Sequence, residues 1–423
     1  MNKHFTDEPR SSGRAVDGPS DPQSFARHSQ HVVVIGSLAW SLVNFRLHLM
    51  RRMIKQGHTV TAIAPDFEPA VRNTLRAEGI ECFEVPMQRT GLNPIADLRT
   101  LFTLTRVLRA LNPDYVLAYT MKPIIYGCFA AQLAGIKHRF ALFTGLGYAF
   151  SESRPTGRRR VVRAISVALH RVGLRKITAA FCYNTHERRD IRGFRLIPAA
   201  TPLIDIPGSG VDTRRFAPVE ANLEAETRFL FVGRLLHTKG LGVLAEAARK
   251  LRAEKLDFTL SILGPMDTNP DAITPTQLDA WQKDGLLSYL GETRDVQPYF
   301  AGASVFVLPT TLREGVPRTI LEAMASGLPV ITTDAPGCGE TIETEVSGLV
   351  VPQGDADSLA AAMKRFITEP GLAMTMGQAA RERVCAYNDV NLINARLLVT
   401  MGLEAGGDAD PSSKSDAMLE SAA

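Results

Sequence analysis

Residues 308–334 of the 423-residue chain read LPTTLREGVPRTILEAMASGLPVITTD. The apolar run at the start predicts a strand, and Pro317 suits the first position of a following helix because its φ is fixed and it lacks an N–H. The helix is predicted to run through Ala325 and to end at 326–327, where Ser-Gly precedes the next apolar run. A helix that starts just after a strand presents free N–H groups and the positive end of its dipole, which together suit a phosphate.

The same alternation of short apolar runs and helix-length segments extends over most of the chain. Runs without polar alternation suit parallel strands covered on both faces, so the sequence predicts an α/β fold. The runs in the first half lie at 31–36, 59–64, 82–86, 115–119, 140–144 and 180–183. Those in the second half lie at 229–233, 258–264, 287–291, 305–309, 330–333 and 349–352. The pattern predicts two doubly wound, Rossmann-like domains that face each other across a ligand-binding cleft.

The pattern restarts near 201–218, a stretch rich in Pro and Gly without helical period, which is the best candidate for a linker. The two ends of the chain are polar, so they are predicted to be disordered. The predicted organisation, in chain order, is a leader at 1–30, an N-terminal domain at 31–205, a C-terminal domain at 206–385, a helix at 386–403 that crosses back to the first domain, and a tail at 404–423.

Composition restricts the class of protein. Hydrophobic residues make up 45% and charged residues 22%, as in a globular protein with well-packed cores. The net charge of +4 is too small to indicate nucleic-acid binding. The five cysteines form no CxxC pair, so no zinc site or disulfide framework is expected, and a reducing cytosol fits them. No apolar segment resembles a secretory signal or a membrane span, so we expect any membrane contact to be peripheral and cytoplasmic.

Two glutamates flank the start of the helix predicted after residue 316. Glu314 lies just outside it, and Glu322 lies about one and a half turns inside. A carboxylate within the helix cannot stabilise a phosphate, but it can accept hydrogen bonds from hydroxyls, as acidic residues do for ribose in dinucleotide folds. Without further context, two surface glutamates on an exposed helix would be the simpler interpretation.

The segment resembles the signature of glycosyltransferase family 4, a family of retaining transferases with the GT-B fold. Its hallmark is Glu, seven residues and Glu, then Ala-Met-Ala and a Gly-x-Pro-Val strand, here residues 314–330. The resemblance continues across the second half at 210–216, 232–240, 303–309 and 348–352. It implies a nucleotide-sugar transferase, with a UDP-sugar as the expected donor.

The resemblance also implies roles for individual residues. Fixed cations aimed at a leaving diphosphate lower the barrier to breaking a sugar–phosphate bond. Retaining members of this fold are thought to react on one face of the sugar while the leaving phosphate helps deprotonate the acceptor, so no protein nucleophile is nominated. The implied catalytic residues are Glu314, against the sugar hydroxyls, with Arg234 and Lys239 on the diphosphate. The implied donor-binding residues are Gly233, Glu292 near the base, Gly315 and Val316 at the diphosphate, and Glu322 at the ribose.

The first half resembles a narrower group, bacterial transferases that extend sugars on undecaprenyl diphosphate for surface polysaccharides or glycans. A hexosyl- or N-acetylhexosaminyltransferase is therefore expected. Many family members have a His after the strand predicted at 115–119, whereas this chain has Lys122 nearby, either as a phosphate-binding charge or as a solvated loop lysine. The residues implied on the acceptor side are Gly36, Asn44, Arg46, Lys122, Gly145 and Tyr148.

Residues 154–176 contain eight basic residues and no acidic residue. A basic amphipathic helix favours an anionic membrane surface, and a lipid-linked acceptor would require such contact. A helix packed on the domain with a solvated basic face is the alternative, and nucleic acid is disfavoured because no aromatic residues interleave the charges. The predicted membrane contacts are Arg158, Arg159, Arg160 and Arg163.

No metal or other cofactor is expected. Of two Asp-x-Asp triplets, 355–357 is predicted to cap a helix and 408–410 lies in the predicted tail. Three other functions compete: a GT-B nucleotide-sugar epimerase, a transferase with a soluble acceptor, and a nonenzymatic sugar-binding protein. A Rossmann oxidoreductase is excluded because GSLAWS at 36–41 lacks the GxGxxG spacing.

Overall fold

The computed structural model describes residues 29–88, 91, 93–147, 150, 156–219 and 226–405, which form two parallel β-sheets flanked by helices. The first sheet has the strand order β3-β2-β1-β4-β5-β6-β7. Its strands are β1 (His31–Ile35), β2 (Thr59–Ala64), β3 (Glu81–Glu84), β4 (Tyr115–Tyr119), β5 (His138–Leu142), β6 (Ala179–Cys182) and β7 (Leu203–Asp205). Val32 and Val34 face one core and Val33 and Ile35 the other, which explains why the apolar runs lack polar alternation.

The second sheet has the order β10-β9-β8-β11-β12-β13, so the prediction of two doubly wound domains is confirmed. Its strands are β8 (Thr227–Val232), β9 (Phe258–Leu263), β10 (Ser288–Tyr289), β11 (Val305–Leu308), β12 (Val330–Thr333) and β13 (Gly348–Val351). A core that includes Phe231, Val307 and Ile331 fills this domain.

Helices connect the strands of both sheets. In the first domain they are α1 (Ala39–Ser41), α2 (Leu47–Lys55), α3 (Pro69–Ala77), α4 (Pro94–Leu111), α5 (Cys128–Leu133), α6 (Gly157–Gly173) and α7 (Thr185–Gly193). Later in the chain they are α8 (Leu241–Ala253), α9 (Pro275–Lys283), α10 (Gln297–Ala301), α11 (Arg318–Ala325), α12 (Ala356–Thr368), α13 (Leu372–Tyr387) and α14 (Val390–Met401). Two π-helical turns, Leu42–Arg46 and Pro123–Gly127, precede α2 and α5 and face the space between the domains.

Strand β7 lies within the segment that the sequence indicated as a linker. Only three residues pair with β6, in the register Ala180↔Leu203 to Cys182↔Asp205, and prolines lie on both sides of them. A strand this short carries too little pattern to stand out from a Pro-rich stretch. The first sheet therefore has one strand more than the sequence predicted.

Helix α14 packs on the first domain, although it follows the second in the chain. Its side chains Ile393 and Leu397 join the core that contains Met50 and Met53 of α2. Beyond its end, the Glu404 carboxylate is ion-paired with Arg52 of α2. The chain therefore returns to the first domain and ties the two domains together.

Candidate active site

A cleft with a volume of about 1500 Å³ separates the two sheets. Both domains contribute side chains to its walls. The first-domain wall includes Arg46, Lys122, Gly145 and Glu187. The second-domain wall includes Arg234, Lys239, Glu314, Gly315 and Arg318. The structure thus brings together residues that lie almost 300 positions apart, including many of those predicted from sequence.

Lys239 and Glu314 form an ion pair in this cleft, with 2.6 Å between Nζ and Oε1. Thr310 Oγ1 lies 3.4 Å from the same carboxylate oxygen. Lys239 ends a short 3-10 turn and is followed by Gly240, whose φ is +84°. A Cβ at Gly240 would lie 1.9 Å from the carbonyl oxygen of Pro309, so only glycine lets this turn lie against the end of β11.

The loop between β11 and α11 is held by the first domain. Asn184 Nδ2 donates to the carbonyl oxygens of Glu314 (3.1 Å) and Gly315 (2.6 Å). A Cβ at Gly315 would lie 2.7 Å from the Tyr183 ring, so the loop also approaches that side chain closely. Val316 packs against the cores of both domains. The backbone of the predicted diphosphate site is therefore positioned by both sides of the cleft.

The start of α11 has the geometry expected of an anion site. The helix begins at Arg318, one residue later than predicted, so Pro317 is its N-cap and not its first residue, and no side chain caps the helix. The first N–H groups therefore have no side-chain partner at the cap, and the positive end of the dipole is adjacent to the cleft wall at Gly315. The helix ends at Ala325, as predicted.

Glu322 is buried against its own helix and does not line the cleft. Its Oε1 lies 2.9 Å from Nε of Arg318, and burial raises the pKa of Glu322. Arg318 also donates to the carbonyl oxygen of Asn44, and its guanidinium lies 5.3 Å from the centre of the Phe45 ring. The ribose role of Glu322 stays a prediction. Arg318 is a link between the domains to which the sequence reasoning gave no role.

Of the other predicted donor-site residues, Arg234 is part of the cleft wall, whereas Gly233 and Glu292 are not. Arg234 lines the cleft, and its guanidinium is 3.0 Å from the Asp267 carboxylate. Gly233 directly follows β8 and donates from its N–H to the Leu263 carbonyl at 3.0 Å. Glu292 is exposed and is not part of the cleft wall. Arg234 is thus the most accessible cation of this wall, with its side chain 49% exposed.

On the first-domain wall, several predicted residues are already engaged within the protein. Arg46 is buried, donates to the Tyr183 hydroxyl at 2.6 Å and lies over the Tyr119 ring. Gly36 also approaches Tyr119, since an added Cβ at Gly36 would lie 2.5 Å from the Tyr119 hydroxyl. Asn44 contributes its carbonyl to Arg318. Tyr148 lies outside the described residues.

Lys122 is buried and ion-paired with Asp97 of α4 at 2.7 Å, while Tyr126 donates to the other Asp97 oxygen at 2.9 Å. Neither burial nor this pairing fits a solvated loop lysine. The Asp97 carboxylate already balances the charge of the Lys122 ammonium. The phosphate-binding role of Lys122 stays a prediction. No local sequence pattern predicts this pairing, since Asp97 lies 25 positions earlier.

Glu187 is a cleft residue that the sequence reasoning missed. It is 5% exposed, and its Oε2 accepts from the Tyr183 N–H at 2.8 Å. Oε1 lies near Gly145, where an added Cβ would be 4.0 Å from Oε1 and 4.0 Å from the Gly315 nitrogen. Burial raises the pKa of Glu187 to about 7. The spacing of Asn184 and Glu187 does signal a helix N-cap, but not its position in the cleft.

The basic segment forms α6, and its first turns are exposed. Arg158, Arg159 and Arg160 are exposed, and the first two also line the cleft. Arg163 is half-buried, with its guanidinium 5.2 Å from the centre of the Phe194 ring. The four predicted membrane contacts therefore differ in accessibility.

Asp355 caps α12 by accepting from the N–H groups of Asp357 and Ser358, so its predicted capping role is confirmed. The second triplet, 408–410, lies outside the described residues. All five cysteines are free thiols that form no disulfide bond. In the described part of the chain, no group of three or more His, Cys, Asp or Glu residues is arranged to hold a metal ion.

Two Rossmann-like domains with cationic side chains in the cleft between them form the GT-B architecture. Comparison with protein families agrees: residues 43–203 match the model "Glycosyl transferase 4-like domain", and residues 226–369 match "Glycosyl transferases group 1". The chain belongs to this family of glycosyltransferases.

Two curated relatives resemble the chain over most of its length. One is the Campylobacter jejuni N,N'-diacetylbacillosaminyl-diphospho-undecaprenol alpha-1,3-N-acetylgalactosaminyltransferase, with 26% identity over 85% of this chain and 94% of the relative. The other is an Escherichia coli UDP-Gal:alpha-D-GlcNAc-diphosphoundecaprenol alpha-1,3-galactosyltransferase, with 28% identity over 75% of this chain and 81% of the relative.

Solved structures share the fold at low sequence identity. Sucrose-phosphate synthase from Thermosynechococcus elongatus has a TM-score of 0.70 at 19% identity, covering 93% of this chain and all (100%) of that one. Anabaena HepE, crystallised with UDP, has a TM-score of 0.69 at 16% identity, covering 88% of this chain and 99% of that one. At these identities, the likeness supports the fold alone.

Proposed function

We propose that this chain is a retaining transferase that moves a sugar from a nucleoside-diphosphate sugar, with UDP favoured, to a sugar linked to polyprenyl diphosphate. The observation that carries the donor half is the Lys239–Glu314 pair, which lies in the cleft before the uncapped start of α11. Two curated relatives carry the acceptor half, because both are named for undecaprenyl-diphosphate-linked sugars.

In this proposal, the cations hold the diphosphate and the carboxylate holds the sugar. Cleavage of the sugar–phosphate bond leaves negative charge on the diphosphate, which Lys239, Arg234 and the α11 N–H groups stabilise. Glu314 accepts hydrogen bonds from the sugar hydroxyls when the donor displaces part of its contact with Lys239. The leaving phosphate takes the acceptor proton on the same face, so the reaction retains configuration without a protein nucleophile.

Product analysis tests the proposal. The full chain would be incubated with short polyprenyl-diphosphate sugars and a panel of UDP- and GDP-sugars, and the products identified by mass and anomeric configuration. We expect one added hexose or N-acetylhexosamine with retained configuration. A product formed from the donor without acceptor would favour an epimerase, and transfer only to sugars without lipid would favour a soluble acceptor.

In the proposed reaction, transfer needs no metal ion, because Arg234 and Lys239 supply the positive charge that stabilises the diphosphate. Transfer in the presence of EDTA should equal transfer without it. Strict dependence on an added divalent cation would contradict this part of the proposal.

We also propose that the protein works at the cytoplasmic face of a membrane, which it contacts peripherally through α6. Within the described residues, no helix is long and apolar enough to cross a bilayer. Basic residues near an anionic surface contribute about 1 kcal/mol each, so reversing the charge of Arg158, Arg159 and Arg160 should release the protein from anionic vesicles. Unchanged co-sedimentation of this variant would remove α6 from the proposal.

A further inference from the structure

Exposed apolar side chains concentrate on one helical layer of the first domain. Helices α4 and α6 both pack against the turn Pro123–Gly127 that leads into α5, so the three helices lie side by side on the sheet. Fifteen large apolar side chains are exposed in the described part of the chain, and seven belong to this layer: Ile95, Leu98, Phe102, Leu133, Val161, Ile165 and Val172. Such a concentration indicates an interaction surface.

The most exposed of these residues form a stripe on α4. Ile95, Leu98 and Phe102 are 83%, 66% and 71% exposed. Their spacing of three and four residues places them on one face of the helix. The opposite face is fixed by Asp97, which is buried and bonded to Lys122 and Tyr126. The buried ion pair thus sets the rotation of α4 and keeps the apolar stripe outward.

The exposed charges on helices α4, α5 and α6 are all positive. Helices α4, α5 and α6 contain a single acidic residue, Asp97, and it is buried and paired. Their arginines are Arg99, Arg106 and Arg109 on α4, and Arg158, Arg159, Arg160, Arg163 and Arg171 on α6. An apolar stripe flanked by arginines and without exposed carboxylates complements an anionic lipid surface better than an acidic, water-facing protein partner.

The layer lies beside the mouth of the cleft. Gly91 and Asp97, at the beginning of α4, line the cleft, as do Arg158 and Arg159 at the beginning of α6. A bilayer that meets these helices would therefore lie next to the opening through which a lipid-linked acceptor must enter.

We propose that α4 inserts into the membrane: Ile95, Leu98 and Phe102 enter the acyl boundary of an anionic bilayer while the arginines of α4 and α6 remain among the headgroups. This inference deepens the membrane contact proposed for α6 and rests on the proposed lipid-linked acceptor. The two helices have different tasks. The contribution of α6 is screened by salt, whereas that of the α4 stripe is not.

Vesicle co-sedimentation of the full chain tests the inference. The stripe variant is Ile95→Ser/Leu98→Ser/Phe102→Ser, and the matched control is Val346→Ser/Met374→Ser/Leu392→Ser, which removes exposed apolar side chains outside the layer. On phosphatidylglycerol-containing vesicles at high salt, the stripe variant should partition about 1000-fold less than the parent, since each of the three apolar side chains contributes about tenfold when it is buried. The control should partition like the parent. Stripe and control variants that bind equally would overturn the inference.

Tryptophan fluorescence is a second readout, and it leaves Ile95 and Leu98 of the stripe in place. The emission that Phe102→Trp adds to that of the native Trp40 and Trp281 should shift to shorter wavelength on vesicles and be quenched by lipids with brominated acyl chains, whereas the emission that Met374→Trp adds should not. Equal quenching of the two variants, or none of Phe102→Trp, would contradict insertion.

Failure of this inference is distinguishable from failure of the proposed function. The stripe variant should still transfer sugar to a short-chain polyprenyl-diphosphate acceptor without vesicles, because the stripe faces away from the Asp97 pair and the cleft. If the parent transfers sugar to the lipid-linked acceptor but the Phe102→Trp indole is not quenched, insertion alone is overturned. A parent that inserts yet transfers to no lipid-linked acceptor overturns the acceptor proposal alone.

Discussion

Two lysine–carboxylate pairs line the cleft, one from each domain. Lys122 and Asp97 of the first domain are 2.7 Å apart, with side chains 9% and 8% exposed. Lys239 and Glu314 of the second domain are 2.6 Å apart, with side chains 13% and 21% exposed. The chemistry and the distances match, but the surroundings of the carboxylates differ.

The difference lies in the second oxygen of each carboxylate. In Asp97 it accepts from the Tyr126 hydroxyl, so both oxygens are satisfied inside the first domain. In Glu314, Lys239 and Thr310 both donate hydrogen bonds to Oε1. Among the described residues, Oε2 of Glu314 accepts no hydrogen bond. The first pair therefore fixes the position of α4, whereas the second keeps acceptor capacity for a ligand. Equal ion-pair geometry does not imply equal function.

The largest effect is expected on stability at Asp97. Asp97→Asn leaves the buried Lys122 ammonium without its counter-ion, which should lower the free energy of unfolding by about 3–5 kcal/mol in urea titrations. The double variant Asp97→Asn/Lys122→Met should recover most of the loss. Glu314→Gln should cost only about 1 kcal/mol, because its pair is more exposed. Equal losses for Asp97→Asn and Glu314→Gln would abolish the distinction between the pairs.

A third carboxyl in the cleft, Glu187, has no cation within ion-pair distance among the described residues. Its pKa is raised from 4.5 to about 7, chiefly by burial. Because the folded-state pKa exceeds the unfolded one, its contribution to stability is complete below about pH 4.5 and is lost as the pH rises towards 7.

The loss across this range should reach about 3 kcal/mol, and Glu187→Gln should remove it. Unfolding titrations at several pH values measure the slope for the parent and the variant. A parent and a Glu187→Gln variant with the same pH dependence between 4.5 and 7 would show that Glu187 is ionised in the folded protein.

Glu314→Gln should reduce kcat on the order of 100-fold, since the amide keeps the shape but loses the charge that orders Lys239 and accepts from the sugar. The matched control is Glu254→Gln, which removes the carboxylate of an exposed lysine pair of the same length, 2.6 Å to Lys364. This control should retain parental turnover. Steady-state assays with the donor found in the panel compare the two, and full activity of Glu314→Gln would refute its role.

The sequence predicted much of the second domain and less of the first. The 314–330 signature and the turn at Lys239–Gly240 carry backbone requirements, such as the positive φ of Gly240, which leave a trace in residue type. Lys122–Asp97, Arg318–Asn44 and the α4 stripe depend on how distant segments pack, and neither partner is marked by its neighbours in sequence. Helix α4 was not singled out, because its apolar residues occupy both faces and only packing decides which face is exposed.

In the proposed function, Lys239 of the second-domain pair binds the donor diphosphate, whereas Lys122 of the first-domain pair does not. Calorimetric titration with UDP tests it directly on Lys239→Met and on Asp97→Asn/Lys122→Met, each compared with the parent. Loss of a charge-assisted contact should weaken UDP binding about tenfold or more in Lys239→Met, while the double variant keeps an affinity close to that of the parent. If the double variant bound UDP more weakly than Lys239→Met, Lys239 would not be the lysine that binds the diphosphate.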